Sequence, residues 1–306
     1  MAGLTFALPR TVPAVKVRRR FDVTGWAFVG PATLIVVGLS LFPAVWAFFI
    51  SRAKWNGISP GVPVGWTNYA RLAQDPDMLA AARHTLLLAA LFVPASIGLG
   101  MLVAVALNQR IRLIGFYRTC IFVPYVASAA ATGILASFVF NPQFGAANQV
   151  LRTLGLPTQQ FLESPSQALY VICLIALWGE VGFTTVIYLA ALQDIPAELV
   201  EAAKMDGASR WRVFRHITLP ELRPVTVFAA VWQTITAVQL FDLIYTTTRG
   251  GPLNSTQTVV YYIYELAFQT QRLGYGAAAA YLLFAVTLLL TLGIIWYSRR
   301  RGSEVF

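Results

Sequence analysis

The chain has 306 residues, 57% hydrophobic and only 12% charged, with a mean hydropathy of +0.64. A soluble domain carries about 25% charged residues, so this composition excludes a disordered chain, a collagen and a disulfide scaffold, and it argues against an ordinary soluble enzyme. The formal charge of +10 poses a question: do the basic residues form a nucleic-acid face, or are they sorted across a membrane?

Residues 1–25 are basic, with Arg18, Arg19 and Arg20 clustered ahead of the first apolar run, 26–50. A helix needs about 20 apolar residues to cross a bilayer, and this run exceeds the 7–15 residues typical of a signal-peptide core. It contains Pro31 and Pro43, and Trp26 and Trp46 lie near its ends, where amphipathic rings suit the interface. The segment after it contains Gly57-Ile58-Ser59-Pro60-Gly61, a match to G-x-S-x-G. A nucleophile elbow needs a strand before and a helix after; Pro60 and Pro63 instead point to a turn.

Five more apolar runs follow, at 85–107, 119–140, 168–191, 225–246 and 277–298, and none of the six contains Lys or Arg. Cys120 and Cys173 fall inside two of them, so neither a disulfide framework nor a metal site follows. With the N-terminus inside, segments 1–25, 108–118, 192–224 and 299–306 carry 16 of the 23 basic residues, and the outer segments carry 7. This bias places both termini inside, and Trp296 with Arg299, Arg300 and Arg301 anchors the last span. The charge is therefore an orientation signal and no nucleic-acid partner is expected. The predicted fold is all-α: a polytopic bundle of six transmembrane helices, N-in and C-in. Its parts are a basic segment 1–25, a six-span domain 26–298 and a basic tail 299–306.

No catalytic constellation is apparent. Lys16, Lys54 and Lys204 end no P-loop pattern, and His84 and His216 fall on opposite sides of the membrane. The chain is expected to have no catalytic residue, to hold no metal or cofactor and to do no covalent chemistry. If ATP drives it, the nucleotide site lies on another polypeptide.

Residues 192–224 form the large inner connection. Pro196 suits a first helical position, Asp194 places negative charge near that positive end, and Ala197–Met205 is rich in helix formers. Gly207 suits the left-handed end of that helix. Ser209 suits the cap of a second short helix, Arg210–Thr218, whose apolar residues Val213, Phe214 and Ile217 share a face. Pro220 and Pro224 close the segment. Composition alone leaves open an amphipathic hairpin lying on lipid headgroups, with a helix-turn-helix reader as a further formal option.

Glu201-Ala202-Ala203-Lys204-Met205-Asp206-Gly207-Ala208, followed by Phe214, Ile217, Leu219-Pro220 and Pro224, resembles the EAA loop of ABC-importer permeases at every position of that pattern. Other stretches are similar to the carbohydrate branch of that family: Thr67-Asn68-Tyr69 with Asp75-Pro76, Asn141 through Gly145, Leu154 through Pro157, Phe241 through Tyr245 leading to Gly250-Gly251-Pro252, then Tyr262-Ile263-Tyr264 and Ala267-Phe268. The similarity spans about residues 30–298. It implies a permease subunit in a bacterial cytoplasmic (inner) membrane, paired with a second, homologous permease above two ABC ATPase subunits that bind ATP and Mg. An extracytoplasmic solute-binding protein would dock outside. It further implies that the EAA loop forms a coupling helix, with Glu201, Ala202, Ala203, Asp206 and Gly207 as contacts to the ATPase. The implied solute is a sugar, an oligosaccharide, glycerol 3-phosphate or a glycerophosphodiester. The competing class is a self-sufficient secondary transporter for a polyol or sugar; no internal repeat of the kind such folds often show is evident.

Only two acids lie within spans, Glu180 and Asp242, and ionisable groups at such depth usually face a cavity or a partner. The family's sugar-lining segment matches Trp178-Gly179-Glu180-Val181-Gly182-Phe183, nominating Gly179, Glu180 and Phe183; an acid at 180 departs from the maltose-type pattern. Aromatic faces with carboxylate and amide groups suit carbohydrate, which adds Trp178, Trp232, Gln233, Thr236 and Gln239 as candidates. Gln233, Thr236 and Gln239 form at best a slanted polar row. Glu180 is open between cavity lining and structural pairing; Asp242, nearer the outer end, is weighed toward structure.

Overall fold

The computed structural model describes residues 23–109 and 112–300. Most of the basic segment 1–25, Arg110, Arg301 and the end of the tail lie outside the described residues. So do Arg18–Arg20 and the side chain of Trp26. The chain forms two compact units, 1–47 and 48–306.

In the first unit, α1 spans Val23–Val36, a π-helical turn follows at Val37–Leu41, and α2 begins at Phe42 and runs to Ser51. Pro43 has no N–H to give the Leu39 carbonyl, and the Phe42 N–H bonds Val37 five residues back. The Phe42 and Trp46 rings stack at 6.4 Å. Phe28, Val29, Leu34, Ile35 and Val36 of α1 are exposed, as suits a helix whose solvent is hydrocarbon.

The second unit is the bundle. A two-stranded hairpin pairs β1 (Ala53–Lys54) with β2 (Val62–Pro63), antiparallel, and a short α3 covers Thr67–Leu72. The long α4 covers Pro76–Leu107. It begins nine residues before the apolar run because Asp75 caps it, accepting the Asp77 and Met78 N–H groups, with Pro76 in the first turn.

The third apolar run, predicted as one span, is two helices, α5 (Ile114–Val126) and α6 (Ala129–Val139), bent by 98°. Pro124 denies a donor to the turn below. Ala127 and Ser128 are extended, and Ser128 O accepts the Thr132 N–H to restart the helix. Outside lies α7 (Ala146–Thr153), pinned by buried Asn148, which donates to the Pro142 and Gln159 carbonyls at 2.9 Å.

The central α8 (Ala168–Gln193) leads to the inner α9 (Ala197–Met205) and α10 (Arg210–Val213), which continues as a π turn, Phe214–Thr218. A single turn, α11 (Leu219–Glu221), precedes α12 (Arg223–Val238); α13 (Asp242–Thr247) continues the fifth span outward. α14 (Val259–Tyr264) lies in the third outer loop, and α15 (Leu273–Arg300) is the last span.

The pairing of α4 with α8 is the most extensive in the bundle. The central core joins Leu88 and Phe92 of α4 with Ile172, Ile175 and Ala176 of α8, Ala237 of α12 and Ile244 of α13. An inner core holds Ala104, Leu107, Tyr188, Leu192 and Leu222, and there Tyr188 donates to Thr226 at 3.0 Å. An outer core joins Leu72, Met78, Val259, Tyr262 and Tyr275. The chain is thus an all-α, polytopic bundle with up to six spans, the third broken.

Candidate functional site

Two places gather the candidate residues: the inner helix α9 and a cavity beside α8. The end of α9 is set by backbone hydrogen bonding. Gly207 has φ +75, a left-handed conformation that costs a residue with a Cβ about 1–2 kcal/mol. Its N–H bonds the Lys204 carbonyl at 3.0 Å, and the Ala208 N–H reaches Ala203 at 2.9 Å. These paired bonds close a Schellman end. Ser209 then caps α10 through the Arg212 N–H at 3.4 Å, and the Trp211 and Phe214 rings stack at 5.7 Å. Glu201, Ala202, Asp206 and Gly207 are exposed and Ala203 is half-buried. Met205 and Trp211 are also largely exposed, so the hairpin presents acids, small residues and an apolar edge on one inner projection.

The cavity, about 150 Å³, lies where α4, α5, α8 and α12 meet, and Gly179, Glu180, Thr236 and Tyr125 line it. Gly182 lets α5 press against α8, because a side chain there would run into the Ile121 carbonyl. That approach carries Tyr125 onto Phe183, stacked at 5.0 Å, and Phe183 meets Trp232 at 5.2 Å. The buried Oε2 of Glu180 has no partner among the described residues. An aromatic ladder beside an unsatisfied carboxylate oxygen is chemistry suited to a hydroxyl-rich solute.

The candidates separate in space. Gly179, Glu180 and Thr236 line the cavity, and Phe183 and Trp232 form the aromatic wall beside it. Gln233 is only 1% exposed; it turns into the α8–α12 seam and donates to Thr184 at 2.6 Å. Trp178 faces a separate apolar groove with Leu135, Val139 and Leu174, because two residues along a helix rotate a side chain by about 200°. Gln239 is the exposed C-cap of α12, and Asp242 is exposed in the first turn of α13. Tyr125 joins the lining without a motif of its own; its sequence signal is Pro124 followed by the small Ala127-Ser128 pair, where the span breaks. In the 57–61 turn, Asn56 accepts from the Ser59 N–H and hydroxyl at 3.0 and 2.8 Å. That is local turn chemistry with no nucleophile elbow.

Residues 96–301 match a family described as binding-protein-dependent transport system inner membrane component. A lactose transport system permease protein of Rhizobium radiobacter is 33% identical, the match covering 95% of this chain and 99% of that protein. An sn-glycerol-3-phosphate transport system permease protein of Agrobacterium fabrum is also 33% identical, covering 87% of this chain and 91% of that protein. The fold matches a crystal structure of a bacterial alginate ABC transporter in complex with an alginate pentasaccharide-bound periplasmic protein. The TM-score is 0.82 at 24% identity, over 93% of this chain and 96% of that one.

Proposed function

From the chain's membership of the binding-protein-dependent transport inner membrane component family, we propose that it forms half of the translocation pathway of an ATP-driven importer for a carbohydrate or sugar-phosphate-like solute. The chain is a multi-pass inner-membrane permease. The observation carrying the solute class is the cavity in which Glu180 and Thr236 meet Tyr125, the ring from which the stack continues to Phe183 and Trp232. Relatives named for lactose and sn-glycerol-3-phosphate transport support the same class. An anionic solute would sit poorly beside an ionised Glu180, so a neutral polyol or sugar fits this half-site better.

Energy enters from partners. ATP and Mg bind to two ABC ATPase subunits, and this chain contributes no catalytic group. A second permease completes the cavity, and an extracytoplasmic binding protein delivers the solute. In this reading α9 is the coupling helix. Glu201 and Asp206 take charge-assisted hydrogen bonds from the ATPase, Ala202 and Ala203 allow close approach, and Gly207 holds the bend. Rocking of the docked pair then carries ATPase closure to the spans. Co-purification tests the assembly: the tagged chain should bring down two ATPase copies and a homologous permease. Solute uptake by the chain alone in liposomes would overturn the reading in favour of a secondary transporter.

A further inference from the structure

We infer that the outer pocket lined by Lys54, Arg71 and Arg272 binds the phosphate headgroup of an anionic phospholipid. Only seven basic residues lie in the outer segments, and three of them line this one cavity of about 390 Å³ with Trp55, Asn68 and Tyr275. No carboxylate lines it. The neighbouring acid, Asp75, is already committed. Its Oδ1 accepts the Asp77 and Met78 N–H groups, and its Oδ2 accepts the Tyr262 and Tyr275 hydroxyls at 2.9 and 2.7 Å. Three like charges around a cavity repel one another until an anion enters.

The pocket has fixed walls. The Arg272 guanidinium lies 4.5 Å from the Tyr275 ring centroid. Buried Asn68 donates to the Ser51 and Ala53 carbonyls at 2.8 and 3.1 Å. The Gly274 N–H donates to the Trp55 carbonyl at 3.1 Å, tying the hairpin to the first turn of α15.

Depth selects the source of the anion. Lys54 follows closely on Ser51, where the first span ends, and Arg272 immediately precedes Leu273, where the last begins. Both cations therefore lie at the level of lipid headgroups, where Trp and Tyr rings also concentrate. Arginine presents a fork that matches phosphate oxygens.

The test uses the full chain, purified in neutral detergent and delipidated. It is titrated with dioleoyl phosphatidylglycerol or dioleoyl phosphatidylcholine and followed by native mass spectrometry. The wild type is expected to retain one phosphatidylglycerol about tenfold more tightly than phosphatidylcholine, and Arg71→Gln with Arg272→Gln to lose most of that preference. Arg152→Gln, which removes an outer charge from α7, should leave it intact. Should the double variant misfold, Lys54→Gln on the exposed hairpin is expected to weaken retention about threefold. Equal retention of the two lipids by the wild type, or an unchanged preference in the folded pocket variants, would overturn the assignment. Displacement of phosphatidylglycerol by millimolar inorganic phosphate would overturn the lipid source in favour of free phosphate.

Discussion

Gln233 donates through Nε2 to the Thr184 hydroxyl at 2.6 Å, joining α12 to α8, and the same hydroxyl meets Ser96 of α4 at 3.0 Å. All three residues are buried, so this short chain of hydrogen bonds ties the three central spans together. Gln233→Leu should therefore act on stability by removing the α12–α8 link while the Thr184 hydroxyl keeps its bond to Ser96, at a cost of about 0.5–1.5 kcal/mol. Thermal unfolding in detergent measures this. Thr184→Val and the double variant should show strong non-additivity with it; additive losses would mean that the two side chains are not coupled.

Glu180 differs from Gln233 in lining the cavity. Glu180→Gln should lower kcat/KM for uptake about tenfold or more, since hydrogen bonds to charged groups are worth about 1.5–3 kcal/mol. Trp178→Ala, two residues away but turned to the apolar groove, should leave solute affinity nearly unchanged. Uptake assays on both variants decide the matter, and unchanged affinity and selectivity in the Glu180 variant would remove it from the solute path.

Asp75 couples stability to pH at the outer face. Burial pushes its carboxyl up, but hydrogen bonds from Tyr275, Tyr262 and the Asp77 and Met78 N–H groups outweigh that and hold it below its ordinary value of 3.8. A carboxyl depressed on folding stabilises fully above its unfolded value, and the benefit fades as pH falls through the folded one. Outer-loop stability should thus stay level from neutrality down to about pH 5 and decline below about pH 4. Hydrogen exchange at α14 and the start of α15 reads this, and Asp75→Asn should abolish the acid-side decline.

Gly182 sets the separation of α5 and α8. Gly182→Val should force the helices apart at Ile121 and cost about 1–3 kcal/mol by overpacking. It should also displace Tyr125 from Phe183. Tryptophan and tyrosine fluorescence alongside thermal unfolding would register both effects, and a variant with native stability would show that this contact is slack.

Much of the bundle was legible from hydropathy and charge, because lipid demands long apolar helices and basic flanks mark their inner ends. The α9 hairpin was largely legible: helix formers at Ala197–Met205, Gly207 in the left-handed conformation and the Ser209 cap follow from local chemistry, although Pro196, expected at the first helical position, is the N-cap. The broken third span was not, since a hydropathy window averages over the break after Pro124 and through Ala127-Ser128. The division among Trp178, Glu180 and Gln233 was also hidden. It depends on which face of α8 or α12 meets α4 and α5, and helices that are apolar nearly all round carry little facial signal.

Coupling through α9 is tested most directly by ATPase activity of the assembled importer, stimulated by solute-loaded binding protein, with Glu201→Lys or Gly207→Asp in this chain. Both variants should insert and fold, retain basal ATPase and lose the stimulation together with uptake. Full stimulation and full uptake in either folded variant would contradict the assignment of α9 as the coupling helix.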